Sequence, residues 1–363
     1  MSGVRHLYVH LPFCAHRCGY CDFVTLVGRG GSHGAYVEAL LRELDLERAL
    51  LADRLETVFL GGGTPTFTEA RALERLLAAL PPAEELTVEA NPETVTPELA
   101  SLLRSAGATR LSLGAQSFRP HLLAVLERRA GPDAVRRAYY ALRDASFDNV
   151  SLDLLYGIPG QRPSDLEADI ATAVALAPDH ISYYELEAKS GTRFTHAYGD
   201  ELVRQATAME GYFERVVEAL VGAGYRWYET ANFCRPGREA RHNLAYWLGR
   251  DYLGVGIGAV STVDGRRWRN GPRLPAYLGA LREGRRPPRE HEELDEPTRR
   301  RERLMLGLRL DQPVPLTEVG DAIDGAALRR LTALGLAARR GESLVLTARG
   351  RFLGGAVTAE LLA

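Results

Sequence analysis

The sequence predicts an α/β protein with a parallel, barrel-like sheet, followed by a smaller and mostly helical domain. Short apolar segments alternate with amphipathic ones at a spacing of roughly 25–40 residues, as in parallel sheets with right-handed crossovers. Polar residues stand directly after several of the apolar segments. A charged stretch interrupted by prolines, residues 284–290, precedes a different pattern of elements. These three observations favour a barrel-like sheet over a sandwich.

The individual elements follow from hydrophobic periodicity. The apolar segments predict strands over residues 7–11, 57–60, 86–90, 110–113, 150–155 and 181–186. Apolar residues at three-to-four spacing predict helices over residues 35–52, 70–80, 97–106 and 133–145. Strand count alone does not distinguish a partial six-stranded barrel from a full eight-stranded one. In either case the ends of the parallel strands are expected to form the ligand-binding face.

The second domain is predicted from the order of its elements. Residues 1–283 form the barrel domain with its extension, residues 284–297 a linker, and residues 298–363 the C-terminal domain. Within the last, helices are predicted over 298–310, 316–323, 325–334 and 348–362, with a hairpin formed by 336–338 and 343–346. This order is winged-helix-like, and such domains bind DNA in many proteins. The segment has no basic stripe, so scaffolding or docking is the favoured role.

The composition and net charge of the chain indicate no strongly charged class of partner. The chain has 363 residues and a formal net charge of −2, so nothing steers it toward nucleic acid or an anionic membrane. No apolar run reaches the ~20 residues that span a bilayer. The first six residues lead directly into a strand and do not fit a signal peptide. We therefore expect a cytoplasmic protein that binds no nucleic acid.

The most specific motif is the cysteine run Cys14, Cys18 and Cys21, with the spacing C-x3-C-x2-C. Soft thiolates this close together select zinc or an iron–sulfur cluster. Structural zinc sites use four ligands, whereas three leave one metal position open to a small chelating ligand. A zinc site completed by His10 or His16 remains an alternative, as does a zinc-stabilised barrel without redox chemistry. The remote Cys234 is interpreted as a small buried hydrophobe.

Further candidate residues stand at strand ends. Gly62, Gly63 and Thr64 belong to a glycine run that follows a strand, where a backbone can approach a ligand closely, although such runs are often only tight turns. Glu89, Gln116 and Asp153 are polar residues in or after apolar strands. Any one of them can belong to a structural ion pair. Three together at the ligand-facing ends favour binding, because an unpaired buried charge costs several kcal/mol.

Together these motifs carry a specific resemblance. The segments are YVHLPFC, GGGTPT, VEANPE, LSLGAQSF, DLLYGIPGQ, YETANF, RHNLAYW, DYLGVGIGA and LMLGLRL. They resemble the HemN/HemW family of radical S-adenosylmethionine (SAM) proteins from Tyr8 to Leu310. The resemblance implies a partial (β/α)6 barrel with a [4Fe–4S] cluster on Cys14, Cys18 and Cys21. The family's contacts to the cluster-bound SAM match Tyr8, Tyr20, Gly62, Gly63, Thr64 and Glu89. Its contacts to a second SAM match Gln116, Arg128 and Asp153, with Arg128 placed by counting along an ungapped stretch.

Two functions compete within this family. The oxidase branch is expected to carry a fourth cysteine where this chain has Phe23. The run HNxxYW at His242, Tyr246 and Trp247 resembles the mark of a branch of proposed heme chaperones. By this resemblance His242 ligates heme iron and the two aromatic residues flank the macrocycle, although an isolated histidine of this kind is more often a core residue.

The resemblance therefore implies a heme chaperone with a [4Fe–4S] cluster, SAM and heme as cofactors. Its partners would be heme and acceptor hemoproteins, and a homodimer is a further expectation. Membrane contact would arise only through the acceptors. The alternative is an enzyme that cleaves SAM to a 5′-deoxyadenosyl radical, as an oxygen-independent coproporphyrinogen III oxidase or a related methyltransferase. Whether SAM is cleaved or only bound stays open. The chain also lacks two histidines of the family pattern, at Ala130 and Val260.

Overall fold

The computed structural model describes residues 3–28, 30–187, 189 and 193–362. Met1 and Ser2, which belong to the start that we judged unlike a signal peptide, lie outside the described residues. The strands are β1 (His6–Leu11), β2 (Phe13–Cys14), β3 (Leu26–Val27), β4 (Leu55–Gly62), β5 (Ala83–Ala90), β6 (Arg110–Gln116), β7 (Val150–Tyr156), β8 (His180–Glu185), β9 (Arg226–Glu229), β10 (Asn232–Cys234), β11 (Leu253–Val255), β12 (Val260–Val263), β13 (Arg266–Asn270), β14 (Arg289–Glu293), β15 (Val314–Pro315), β16 (Ala337–Arg340) and β17 (Ser343–Leu346).

The helices cover the sheet and build the C-terminal part. They are α1 (His33–Glu47), α2 (Ala70–Ala79), α3 (Pro97–Ser105), α4 (Pro120–Val125), α5 (Pro132–Asp144), α6 (Pro163–Leu176), α7 (Arg193–Gln205), α8 (Met209–Gly222), α9 (Arg241–Trp247), α10 (Leu274–Arg282), α11 (Glu296–Gly307), α12 (Leu316–Val319), α13 (Gly325–Ala333), α14 (Ala348–Phe352) and α15 (Gly354–Leu361). No helix in the described part of the chain is long and apolar enough to cross a membrane.

The central sheet confirms the predicted α/β barrel class. Its strand order is β11-β1-β4-β5-β6-β7-β8-β10-β9, and the six predicted strands pair in parallel from β1 to β8. β11 extends the sheet in parallel beside β1, whereas β10 runs antiparallel to β8 and β9. These strands are almost continuously buried because helices cover the outer face, as in parallel sheets generally.

Helix α1 ends earlier than the periodicity predicts. The expected helix over 35–52 stops at Glu47 and continues as one 3-10 turn, Arg48–Leu50. Leu51 is then extended and forms an isolated parallel bridge with Val4. Pairing with the segment before β1 therefore competes with helix extension at this point.

The expected linker over residues 284–297 contains regular structure. Its strand β14 pairs with β13, with Trp268 opposite His291. Arg289 at the start of β14 reaches the buried Glu43 and Glu47 of α1 at 3.2 and 2.9 Å. The segment is thus tied to the barrel by two buried ion pairs, which its charged composition did not reveal. The division into domains at this point remains a prediction.

The C-terminal part has the expected winged-helix-like order with two corrections. The helix predicted over 316–323 ends at Val319 and continues as one 3-10 turn, Gly320–Ala322. Strand β15 lies between α11 and α12, and the hairpin β16–β17 follows α13. The three strands form a sheet of order β15-β17-β16, and these elements enclose their own apolar cluster. The last helix, predicted as continuous over 348–362, is instead divided into α14 and α15 at Leu353. Gly354 and Gly355 follow this break, and glycine favours a helix interruption because its backbone loses the most entropy on folding.

Candidate functional site

The carboxyl ends of the parallel strands surround a cavity of about 490 Å³, here called the first cavity. The loop after β2 closes one side, and residues at or beyond the ends of β4, β5, β6 and β7 line the rest. It brings together eleven of the thirteen predicted site residues: Cys14, Cys18, Tyr20, Cys21, Gly62, Gly63, Thr64, Glu89, Gln116, Arg128 and Asp153. Tyr8 and His242 lie outside this lining. These residues therefore share one cavity at the strand ends, as expected for a parallel barrel, and their binding roles stay predictions.

All three cysteines of the predicted cluster motif are free thiols on the first cavity. The backbone N–H of Cys21 donates to the carbonyl of Cys18 at 3.2 Å, which curls the loop so that its thiols share one side. Burial raises the pKa of the Cys14 and Cys21 thiols, and the Thr64 hydroxyl lies 3.5 Å from Cys14 Sγ. Cys234 is fully buried elsewhere, as expected.

The donor set fits a cluster better than a single ion. Among the described residues no group of three or more His, Cys, Asp or Glu side chains is arranged to hold one metal ion. In an iron–sulfur cluster each thiolate binds a different iron atom, so three thiolates need not converge on one point. His10, one candidate fourth ligand for zinc, donates from Nε2 to the Val24 carbonyl at 2.8 Å and does not line this cavity.

Arg128 joins the cysteine loop to the strand ends. Its Nη2 donates to Asn91 Oδ1 and to the Gly114 carbonyl, both at 2.8 Å, and Nη1 lies 3.7 Å from Cys18 Sγ. The position inferred by counting from Gln116 therefore lies on the predicted cavity. Gln116 itself has a positive φ of 62° at a β-bulge, which changes the side-chain alternation at the end of β6.

The glycine loop after β4 is a close-packed cradle. A Cβ on Gly62 would lie 2.5 Å from ring atoms of His10, and a Cβ on Gly63 would lie 2.6 Å from the backbone of Pro12. Gly62 also has a φ of 107°, which other residues rarely adopt. Its N–H donates to Glu89 Oε2 at 3.2 Å. Only glycine therefore allows this loop to approach the strand end and the carboxylate.

The first cavity is lined by two partly buried carboxyl groups and one buried guanidinium group. Burial, followed by repulsion from Asp153, raises the pKa of Glu89 to about 7. Burial also raises the pKa of Asp153, while Arg110 opposes the shift and Ser112 donates to both carboxylate oxygens at 3.1 and 2.9 Å. Arg110 is only 2% exposed. The cavity can thus compensate a cationic ligand near neutral pH.

Tyr8 lies on a different cavity. This second cavity, of about 940 Å³, is bounded by the segment after Cys21, helices α9 and α11, and strands β12 and β13. The Tyr8 hydroxyl donates to His10 Nδ1 at 3.1 Å. Tyr8 remains close to the SAM-type loop, because a Cβ on Gly61 would lie 3.1 Å from its ring and 2.9 Å from Glu89 Oε2.

His242 is a hydrogen-bonded core residue in this structure. It is 1% exposed, its Nδ1 is hydrogen-bonded to Thr57 Oγ1 at 2.7 Å and its Nε2 to the Tyr246 hydroxyl at 2.8 Å. Burial lowers its pKa to about 3, so the ring stays neutral. Both ring nitrogens are therefore engaged, and ligation of heme iron by His242 would require one of these bonds to break. The geometry matches the core-histidine alternative.

Helix α9 places the rest of the HNxxYW run between the two cavities. Asn243 lines the first cavity, whereas Tyr246 and Trp247 line the second. Of the two positions where the family pattern has histidine, Val260 lines the second cavity and Ala130 lies in neither. The run is thus a partition between two pockets, a role that sequence spacing alone did not reveal.

Several lining residues were not singled out from the sequence. They are Asn91, Arg110, Ser112, Ser182 and Tyr184 in the first cavity, with Asp22 shared by both cavities. Asn91 follows Glu89 by two residues and so points to the same side of the extended chain, which is a signal that could have found it. Arg110 begins a strand otherwise rich in small and apolar residues, which is a weaker signal of the same kind.

Comparison with family models identifies the class of protein. The model of the radical SAM superfamily matches residues 8–173, from β1 into α6, and that of the HemN C-terminal domain matches residues 294–353. The fold is similar to that of the solved structure described as coproporphyrinogen III oxidase (HemN) from Escherichia coli, a radical SAM enzyme. The TM-score is 0.79 at 22% identity, covering 99% of this chain and 90% of that one. The protein therefore has a radical SAM barrel with a HemN-type C-terminal domain.

Similar proteins from other bacteria show the family to which this chain belongs. A protein from Mycobacterium tuberculosis named heme chaperone HemW is 38% identical, covering 98% of this chain and 94% of the relative. The protein of the same name from Bacillus subtilis is 33% identical, covering 99% of each chain. The chain belongs to the HemW family. Radical SAM membership implies SAM and a [4Fe–4S] cluster, and the three thiols with their glycine cradle are the residues that fit them.

Proposed function

We propose that this protein is a heme chaperone, which binds heme and passes it to acceptor hemoproteins from a radical SAM core. The observation that carries the proposal is the second cavity beside the cysteine loop. It is large, it is lined by aromatic side chains, and it shares Asp22 and Phe23 with the first cavity, while helix α9 contributes residues to both. Relatives that carry the name heme chaperone, at 33–38% identity over nearly the whole chain, support the same function.

The core would hold its cofactors through residues of the first cavity. Cys14, Cys18 and Cys21 would ligate the cluster, and the fourth iron would be left for SAM. The Glu89 carboxylate, which the glycine loop approaches closely, is placed to bind the amino group of SAM. When bound, the cluster supplies an electron, and the chain contributes orientation and exclusion of water. Arg128 and Asn91 hold the cysteine loop against the strand ends.

The absence of a cysteine at Phe23 also separates this chain from the expected oxidase pattern. The Phe23 ring is 61% exposed and lies on both cavities. A thiol there would add a fourth soft ligand next to Cys21, whereas the phenyl ring offers an apolar surface. This residue favours a protein that handles an apolar ligand next to its cluster.

The test is a paired assay on protein with an anaerobically reconstituted cluster. One arm titrates hemin, and the other incubates the protein with coproporphyrinogen III, SAM and a reductant. Stable heme binding without decarboxylated product supports the chaperone. Decarboxylated product without heme retention would overturn it in favour of an oxidase. Transfer of bound heme to an apo-hemoprotein, followed by the visible spectrum of the acceptor, then tests delivery.

A second candidate is a radical SAM enzyme. The observation that favours it is the polar lining of the first cavity, where Glu89, Asp153 and Arg110 extend beyond the thiols. Such a lining can bind a second polar molecule near a 5′-deoxyadenosyl radical. Formation of 5′-deoxyadenosine in the second arm of the assay would establish cleavage of SAM, whether or not a porphyrinogen is the substrate.

Location and partners follow from the same proposal. A labile iron–sulfur cluster requires a reducing compartment, which supports the cytoplasm. The C-terminal domain, with its separate apolar core, is available to dock acceptor hemoproteins or a second copy of the chain. Membrane contact would then arise only through acceptors that are themselves in a membrane.

A further inference from the structure

The second cavity has an unusual apolar mouth. Phe23 is 61% and Met305 is 47% exposed, and both line it. The wall behind them carries the aromatic residues Tyr8, Tyr246, Trp247 and Tyr252. The indole Nε1 of Trp247 is buried and has no hydrogen-bond partner in the described part of the chain. Large apolar side chains grouped at a cavity, beside an unpaired donor, mark a binding site for a flat and partly polar ligand.

The second cavity has unpaired arginine side chains that an anionic group of a ligand can contact. Five arginines line it, and two of these are already paired. Arg267 holds Glu302 through two bonds of 2.8 and 2.6 Å, and Arg303 Nε donates to Glu318 at 2.6 Å. The other three have no side-chain hydrogen bond or ion pair to a described residue: Arg250, Arg269 and Arg299. Three carboxylates also line the cavity without pairing to them: Asp22, Asp251 and Asp264.

These free guanidinium groups lie on three different elements. Arg250 follows α9, Arg269 belongs to β13, and Arg299 belongs to α11. They therefore converge on one cavity from separate parts of the chain. A guanidinium group offers paired donors that match a carboxylate, so this arrangement suits a ligand with more than one carboxylate group.

Potential iron ligands in the same cavity are few. His10 has both ring nitrogens engaged, with the Val24 carbonyl and the Tyr8 hydroxyl. Burial raises the pKa of the phenols Tyr8, Tyr246 and Tyr252, which disfavours the phenolate that iron would need. Met305 carries a thioether that needs no deprotonation, and thioethers are established axial ligands of heme iron.

We propose that the second cavity is the heme site of this protein, with the propionate groups on Arg250, Arg269 and Arg299 and the iron bound by Met305 Sδ. This inference rests on the proposed function and assigns the site within it. Coordination donates a sulfur lone pair to iron, releases no proton and changes no oxidation state. Phe23 and Tyr246 would contact the macrocycle, and Asp22 and Phe23 would link its occupancy to the cysteine loop.

The first experiment measures hemin affinity of the full-length protein with its cluster reconstituted. The variant Arg269→Gln/Arg299→Gln removes two exposed guanidinium groups that make no side-chain contacts elsewhere in the described structure, so the fold should persist. Loss of these charge-assisted bonds should weaken hemin binding roughly tenfold or more. Arg340→Gln, an exposed arginine on β16, is the matched control and should bind as the unaltered protein does.

The second experiment tests the iron ligand. Met305→Leu should change the absorption and electron paramagnetic resonance spectra of bound ferric heme, and it should leave affinity for iron-free protoporphyrin unchanged. Met209→Leu, on α8 outside this cavity, is the control and should change neither. His242→Ala is the competing variant. It removes the partner of Tyr246, so affinity can fall, but the ligand signature should persist.

The outcomes separate the two proposals. If the unaltered protein binds no hemin, the proposed function fails and this assignment fails with it. If it binds hemin and the double arginine variant binds equally well, the cavity assignment is overturned while the chaperone proposal stands. If the ligand signature is lost in His242→Ala and kept in Met305→Leu, His242 is the ligand and the role of Met305 is refuted.

Discussion

The backbone N–H of Gly62 donates to the Glu89 carboxylate at 3.2 Å, across the adjacent strands β4 and β5. This bond favours the ionised carboxylate, but burial and the nearby Asp153 outweigh it and raise the pKa of Glu89 to about 7. The glycine cradle and the carboxylate thus form one unit. Because this pKa lies close to the pH of a cell, the ionised and neutral forms of the Glu89 carboxyl are both populated there.

SAM affinity should therefore depend on pH through Glu89. Because SAM carries a sulfonium and an ammonium group, the ionised carboxylate binds it better than the neutral acid. Affinity should rise as pH increases through about 7 and fall up to roughly tenfold for each pH unit below that value. Equilibrium dialysis with reconstituted protein measures it. Glu89→Gln should bind weakly with a flat profile, and an unchanged slope in that variant would assign the titration to another group.

The cluster should depend on the three clustered thiols and not on the fourth cysteine. Cys18→Ala should abolish the broad visible absorption of the reconstituted protein, because the first cavity then has two thiolates where three irons need one each. Cys234→Ala is the matched control and should retain the absorption, because Cys234 is buried in β10 away from the cavity. Full iron and sulfide content in Cys18→Ala would refute the ligand assignment.

Alanine at Gly62 should damage both the fold and SAM binding. Its φ of 107° would strain an alanine by about 1–3 kcal/mol, and the new Cβ would meet the His10 ring at 2.5 Å. Urea denaturation should show the loss in the free energy of unfolding. Gly34→Ala is the control, since a Cβ there meets nothing within 4 Å and alanine favours helix α1. Equal stability of the two variants would contradict the close packing of the glycine loop at Gly62.

Buried histidines should make the fold sensitive to acid. Burial lowers the pKa of His10 to about 4 and that of His242 to about 3, so the unfolded chain binds more protons below its ordinary histidine pKa of about 6.5. Stability should be fully present above about pH 6.5 and should fall as pH decreases toward 4. The expected loss is roughly 1.4 kcal/mol per pH unit for each histidine.

The measurement is urea denaturation followed by circular dichroism at several pH values between about 5 and about 7.5. A variant that lacks the titrating imidazole separates the contribution of His242 from that of other groups. His242→Gln can keep an amide hydrogen bond to Thr57 or Tyr246 without titrating. This variant should show a shallower decline than the unaltered protein. A decline of identical slope would mean that His242 does not contribute.

Hydrophobic periodicity was sufficient for the six parallel strands and for the order of C-terminal elements, because burial on one or both faces dictates residue type along each element. Periodicity failed where packing between distant segments determines the secondary structure. Helix α1 ends early because the following segment forms the bridge between Leu51 and Val4. The charged segment containing Arg289 becomes a strand because Glu43 and Glu47 neutralise this arginine. Neither partner is near in sequence.

The residues of the candidate site also fall into two groups, those that the sequence predicts and those whose surroundings depend on packing. The thiols, the glycine run and the polar strand ends could be predicted, since each stands next to a recognisable strand and the ends of parallel strands meet at one edge. Sequence reasoning matched Tyr8 to a contact with SAM and His242 to heme iron, and both roles stay predictions. In the structure Tyr8 lines the second cavity, and His242 lies between Thr57 and Tyr246.

By itself, the sequence determined the barrel class and the grouping of three thiols with the strand ends that surround them, because local patterns encode burial and ligand chemistry. Only the tertiary structure decided which side chains are free to bind. A histidine ligates metal only if a ring nitrogen lacks another partner, and an arginine binds an anion only if no carboxylate of the protein has already paired with it. Such partners lie far apart along the chain, as Thr57 and His242 do, and folding alone brings them together.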